Sequence, residues 1–285
     1  MLQLKNKGAE IFVPDQRPLP EALERTTHLA VSAHQDDIEI MAAGGILDCY
    51  AQEDKWFTGI VTTNGSGSPR DGLYAACTDE DMQKIRKEEQ KKAAFTGDYA
   101  AQVFMDYPSS AVKDPANKDV AKELSEILRI AAPEVLYLHN LADKHNTHVA
   151  TAIKTLQAVR LLPSEKRPAK VYGCEVWRDL DWLPDEEKVR FDLSAHENLS
   201  AALLGVYDSQ ICGGKRYDLA VMGRRRANAT FSDTHATDIS TAMSYAMDLT
   251  PLVKDDNLDI KEYVLGYVNR LAQEVGATMA MFLQD

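Results

Sequence analysis

Residues 34–39 of the chain hold four ionisable side chains, His34, Asp36, Asp37 and Glu39. Adjacent carboxylates repel each other unless a proton or a cation intervenes, and so polar a stretch is poor material for packing. A divalent cation is the simple remedy. His34 offers an imidazole nitrogen and Asp37 a carboxylate oxygen, both ordinary zinc donors. A turn here can aim Asp36 and Asp37 differently, so that one ligates and the other works as a base. Either aspartate alone reads as a helix cap at the positive end of a helix dipole. With His34 three positions before Asp37 and partners elsewhere, the metal reading is the stronger one.

Those partners are present in a second segment, residues 143–148, as His145 and His148. A His-x-x-His pair places both imidazoles on one face if the segment is helical. A catalytic zinc takes three protein ligands and keeps one position open. His34, Asp37 and one histidine of the pair complete that number, which leaves the other histidine to handle protons. A lone His-x-x-His is weak, since such histidines often only cap or hydrogen-bond; the two clusters together, each after an expected strand, are much stronger. His139, inside a strand, reads as a satisfied core residue, and His28, His196 and His235 read as structural.

Along the chain, residues 28–33 form a short apolar run fit for a buried strand, followed by a helix over about 37–52. Residues 56–63, rich in β-branched side chains, make the next strand. The loop 64–72 is polar and glycine-rich, and a helix over 79–95 follows with Asp79 as its cap. Strands at 102–106 and 134–139 flank a helix at 119–131, and another helix covers 147–161. Beyond residue 168 come strand candidates, a helix near 195–207 and a final helix over 259–275. Residues 1–27, with three prolines, read as an extended arm. Strands alternating with helices predict an α/β fold: a Rossmann-like, doubly wound, mostly parallel sheet with helices on both faces and a C-terminal elaboration. Ligands in such sheets bind at the carboxyl ends of the strands, where both clusters fall.

The net charge of −12, from 44 acidic and 32 basic residues, repels phosphate backbones and argues against a nucleic-acid partner. Arg224, Arg225 and Arg226 read as a solvated turn or a carboxylate-pairing site rather than an anionic-ligand clamp. Cys49, Cys77, Cys174 and Cys212 are scattered without metal-finger spacing and read as free thiols. The first residues lack the apolar run of a signal peptide, and no stretch nears the roughly 18 apolar residues that span a bilayer, so a cytoplasmic protein without a membrane span is expected. No Gly-x-Gly-x-x-Gly follows the first strand, which argues against a nucleotide-binding module. The sequence is compatible with a homo-oligomer and does not choose an oligomeric state.

The pattern Ala33-His34-x-Asp36-Asp37-x-Glu39 with the later His145-x-x-His148 resembles the LmbE-like (PIG-L) zinc-dependent N-acetyl deacetylases. Arg86 to Glu89, then Ala93, Ala94 and Gly97, look like that family's Arg-x-x-Glu helix, and Ser209-Gln210 like a recurring dipeptide. The resemblance covers residues 28–210 and implies a single deacetylase domain over 28–285 behind the 1–27 arm. It implies zinc held by His34, Asp37 and His148, Asp36 as general base, and His145 stabilising or protonating the tetrahedral species. Arg86 matches a substrate-contacting arginine, with a surface salt bridge to Glu89 as the alternative. The implied reaction is removal of an N-acetyl group from a small GlcNAc-type sugar or glycoconjugate. A His₂-carboxylate set also suits ferrous iron. Two departures stand out: Gln35 replaces a usual proline, and Tyr107 to Ser110 lacks an acidic sugar-contacting position.

Residues 173–182 are dense in Trp, Arg and Asp. Trp177 could stack on a sugar ring, and Arg178 with Asp179 or Asp181 could bond hydroxyls as one wall of a pocket. The alternative is a structural ion pair under two packed indoles. The rival functional class is a metal-stabilised ligand-binding protein without turnover. A spare carboxylate such as Asp36 argues against it, because a structural site closes its fourth position and needs no base.

Overall fold

The computed structural model describes residues 2–283. Eight strands form one sheet: β1 (Glu10–Phe12), β2 (His28–Ser32), β3 (Phe57–Thr63), β4 (Ala101–Tyr107), β5 (Val135–His139), β6 (Lys170–Cys174), β7 (Lys188–Asp192) and β8 (Met243–Asp248). Their order across the sheet is β1-β4-β3-β2-β5-β6-β8-β7. The five central strands, β4, β3, β2, β5 and β6, run parallel. β1 joins one edge antiparallel to β4, and β8 and β7 extend the other edge through antiparallel pairings. The mostly parallel α/β sheet expected from the sequence is therefore present.

The helices are α1 (Glu21–Glu24), α2 (Asp37–Met41), α3 (Ala43–Cys49), α4 (Asp79–Thr96), α5 (Ser109–Lys113), α6 (Asp119–Ala131), α7 (Asn146–Arg160), α8 (Glu197–Gly205), α9 (Asp208–Ile211), α10 (Tyr217–Phe231), α11 (Pro251–Lys254) and α12 (Ile260–Ala280). They cover both faces. Successive strand residues point to opposite sides, so Leu29 and Val31 of β2 enter one core with Leu124, Leu128 and Leu156, while Ala30 enters the other with Ile38, Ile46 and Phe57. Such double burial explains why β2 and β3 are buried at every position.

Several local expectations change. The single helix expected over 37–52 breaks at Ala42 into α2 and α3. Gly45 then lies so close to the sheet that a Cβ there would meet the Tyr137 ring at 2.5 Å. The cap of α4 is Thr78 rather than Asp79: its hydroxyl accepts the Asp81 amide (3.1 Å) and the Asp81 carboxylate accepts the Thr78 amide (3.0 Å). Within the extended 1–27 arm, β1 pairs with β4 and Leu23 enters the core; Met1 lies outside the described residues. The arginine run is not a turn but part of α10, where buried Arg225 donates to the Glu39 carbonyl (2.7 Å) and Arg226 pairs with Glu197 (3.4 Å). No helix among the described residues is long and apolar enough to cross a membrane.

Candidate metal centre

β2 and β5 are neighbours, paired from His28 with Val135 to Val31 with Leu138, yet they lie far apart in sequence. The chain leaves them in opposite directions across the sheet, β3 on one side and β6 on the other. That reversal opens a crevice at their carboxyl ends. His34, Asp36 and Asp37 sit in the turn after β2, with Asp37 opening α2. His139 ends β5, and His145 caps α7, its Nδ1 accepting the Thr147 amide (3.3 Å).

Three donor atoms meet in the crevice. His34 Nδ1 lies 3.1 Å from Asp37 Oδ2 and 3.2 Å from His148 Nε2, and that nitrogen lies 3.3 Å from Asp37 Oδ2. Ligands held about 2.0–2.1 Å from one tetrahedral centre are about 3.3 Å apart, so the triangle has the size a zinc ion requires. Facing imidazole nitrogens also need a proton or cation between them. The residues fit a divalent cation on both counts. His139 is within reach of Asp37 (3.5 Å), but its Nε2 lone pair already accepts the Ala33 amide (2.9 Å). It stacks on His148, with ring centroids 3.9 Å apart, and serves as a buttress. Because His145 Nδ1 is an acceptor, the proton of its neutral ring sits on Nε2 as a donor.

Burial drives His34 down to about 4 and holds His139 well below and His145 below the ordinary imidazole value, with His148 adding to the last two effects. For Asp37, burial pushes up, but His148, His34 and His139 outweigh it and the carboxyl falls below its usual range. His148 moves up despite burial because Asp37 and Asp143 face it. Asp36 rises well above the ordinary carboxylate value through burial, reinforced by Asp37, Glu39 and Glu89 and only partly offset by Arg86.

Asp36 adopts φ +96°, a region that non-glycine residues avoid. The peptide bond before it is gripped at both ends by α4. Arg86 donates to the Gln35 carbonyl (2.7 Å), and the Asp36 amide donates to Gln90 Oε1 (3.4 Å). Gln90 is itself anchored on Glu39 (2.9 Å), whose other oxygen accepts from Tyr207 (2.6 Å).

Residues 29–159 match the family model described as PIG-L, GlcNAc-PI de-N-acetylase. They form a PIG-L family segment. No curated protein matches the chain. Among solved structures the chain is similar to GalB, the 4-carboxy-2-hydroxymuconate hydratase from Pseudomonas putida KT2440, at 21% identity and TM-score 0.60, over 82% of this chain and 100% of that one. It is similar to the conserved protein TT1542 from Thermus thermophilus at 17% identity and TM-score 0.61, over 82% and 99%. It is also similar to N,N'-diacetylchitobiose deacetylase from Pyrococcus horikoshii at 15% identity and TM-score 0.63, over 81% and 86%. At these identities the likeness establishes the fold.

Both ionisable clusters and Arg86 lie in the PIG-L segment; a second part of the cavity comes from outside it. A cavity of about 240 Å³ is lined by His34, Asp36, Asp37, Arg86 and His145, and also by Trp177, Gln210, Lys215 and Tyr217. Arg86 is buried and lies 3.6 Å from Asp36, so the surface salt bridge with Glu89 does not form; Glu89 instead accepts from the Ser209 amide (2.7 Å) and hydroxyl (2.6 Å). Trp177 lines the cavity. Arg178 does not: it is exposed and its Nε donates to the Ala142 carbonyl (2.6 Å), because the loop turns between adjacent residues. Nor do the two indoles cover an Arg178 ion pair, Trp182 donating to the Asp179 carbonyl (3.0 Å).

Sequence reasoning missed a role for Asp143. It accepts the amides of His145 (2.9 Å) and Trp177 (3.1 Å) and lies 3.6 Å from His148 Nδ1. At 3.6 Å the carboxylate is beyond hydrogen-bond distance and His148 Nδ1 has no other partner among the described residues, so Asp143 acts on His148 through its charge; its place two residues before His145 was the available signal. Gln90, Lys215 and Tyr217 carried no local signal.

Proposed function

We propose that the chain is a zinc-dependent hydrolase that removes an N-acetyl group from a small GlcNAc-type sugar or glycoconjugate. His34, Asp37 and His148 hold the metal, Asp36 is the general base and His145 the donor to the tetrahedral species. The observation that carries this reading is the triangle of donor atoms, none more than 3.3 Å from the next, on a cavity wall shared with Asp36 and His145. The PIG-L segment supports the reaction class. Fold alone does not choose it, since a hydratase and a deacetylase are both among the structural neighbours.

When bound, zinc polarises a carbonyl and lowers the pKa of its water from about 16 to near 7. The chain supplies the rest. Asp36, held at its unusual backbone angle by Arg86 and Gln90, takes the proton from the attacking water. His145 presents Nε2–H toward the oxygen on which negative charge develops, a donor fixed before the reaction begins. Asp36 then returns that proton to the departing amine, and acetate is the second product. Asp143 holds the backbone at His145 and sets its charge behind His148. Trp177 offers a ring face to the sugar, and Arg86 completes the wall beside Asp36.

The test is acetate release from a panel of N-acetylated sugars, using protein stripped with chelator and reloaded with Zn²⁺ or Fe²⁺. Turnover that returns with Zn²⁺ supports the proposal. Turnover only with Fe²⁺ overturns the metal assignment. Tight metal binding without acetate from any substrate would leave the non-catalytic ligand-binding protein in its place.

A further inference from the structure

We propose that the compound taken by this cavity carries an anionic group, a carboxylate or a phosphate, beside its N-acetyl sugar, and that Lys215 and Ser68 read that group. The reaction it undergoes rests on the hydrolase reading above; the anion site does not. Three observations carry the proposal. Lys215 lines the same cavity as the metal centre, its Nζ 5.3 Å from the centroid of the Trp177 ring. Trp177 is in turn braced edge-on by Tyr217 at 6.0 Å. The neighbouring cations are engaged: Arg86 on the Gln35 and Gly65 carbonyls, Arg216 on Asp218 at 2.7 Å. Lys215 makes no ion pair among the described residues, in a chain whose net charge is −12.

The second observation is Ser68 on the same cavity wall, whose hydroxyl is buried without a hydrogen-bond partner. A desolvated hydroxyl left unpaired is costly, and a ligand oxygen would satisfy it. The third is the backbone that sets the two side by side. A Cβ on Gly213 would lie 3.3 Å from the Pro69 carbonyl, and Gly214, at φ +123°, turns the chain back, so the 68–70 and 213–215 backbones touch. The Lys215 amide donates to the Gln210 carbonyl (3.0 Å) and its carbonyl accepts the Tyr217 amide (2.7 Å), which pins the backbone and leaves the ammonium to the cavity. An ammonium and a hydroxyl donor on one wall complement an acceptor-rich anion.

The experiment compares kcat/KM for N-acetylglucosamine, its 6-phosphate and N-acetylmuramic acid in the Zn²⁺-loaded protein and its Lys215→Gln variant. One anionic substrate should exceed the neutral one by about 10-fold or more, with the preference weakening as salt rises and collapsing toward unity in the variant. The phosphate and carboxylate arms identify the anion. A wild-type preference for the neutral sugar, or an anion preference that survives Lys215→Gln, overturns the proposal. If no substrate turns over, quenching of tryptophan fluorescence by the 6-phosphate or by N-acetylmuramic acid decides: quenching abolished by Lys215→Gln and by Trp177→Phe upholds the anion site while the hydrolase reading falls. No quenching by either compound ends the anion site.

Discussion

The two sides of the cavity are built differently. The metal-centre side comes from the short connections after β2 and β5, and its side chains, buried or half-buried, are held by backbone groups: His145 by the Thr147 amide, Asp37 by the His34 amide at 2.7 Å, and Asp143 by two further amides. The opposite side comes from 173–182 and 210–217, where Trp177 is half-buried and Lys215 exposed. Groups fixed by amides keep their geometry without a ligand, which is what a reacting centre needs. Groups held by stacking and loop turns can change with the ligand. On the proposed function, chemistry falls to one side and selection to the other.

The comparison breaks first at the metal. His148→Ala should bring metal content to background by elemental analysis and abolish acetate release, with Asp37→Ala behaving alike; full metal occupancy in either variant would remove the proposed ligand set. Asp36→Asn should keep its metal and lose about 10²–10⁴ in kcat. Loss of metal with activity would instead make Asp36 a ligand. Asp143→Asn should weaken metal affinity by about 10–100-fold in a competition titration with a chelating dye, and an unchanged affinity would deny its charge a role behind His148.

Smaller effects sharpen the contrast. Gln90→Met, which preserves volume and removes the Asp36 contact, should lower kcat roughly 10-fold at nearly constant KM. Gln102→Met, which removes Gln90's bond on the side away from Asp36 (3.3 Å), is the control. Equal losses in the two variants would make the effect one of packing. On the selective side, Trp177→Ala should raise KM by roughly 2–10-fold with a smaller change in kcat; an unaltered KM would take the indole out of substrate binding.

Legibility followed the range of the interactions that decide each feature. β2 and α6 could be read because a doubly buried strand is an unbroken apolar run and α6 buries Val120, Leu124, Ile127 and Leu128 along one stripe. The residues that meet in the crevice, His34, Asp37, His145 and His148, could be listed because each pair is local and each follows a strand. That the two pairs lie together depends on β2 and β5 being neighbours, which the alternation of elements implied. α10 escaped notice because its core-facing side includes Arg225 and Asn228, so its apolar stripe is broken. Trp177 and Arg178 differ through a bond across 34 residues: the Trp177 amide is tied to Asp143, and the next side chain swings outward. Nothing in the local composition distinguishes them. Gln90, likewise, matters only because α4 crosses the turn after β2.

The backbone at Asp36 leaves one more mark on the molecule. A residue lacking a Cβ would occupy φ +96° at ease, whereas aspartate stays there at a cost of order 1–3 kcal/mol. The turn is therefore cocked rather than resting, and the two α4 side chains act as its catch. Any change that loosens α4 lets the carboxylate relax out of aim before the fold itself gives way, so activity here should fade at a lower temperature than helix and sheet do.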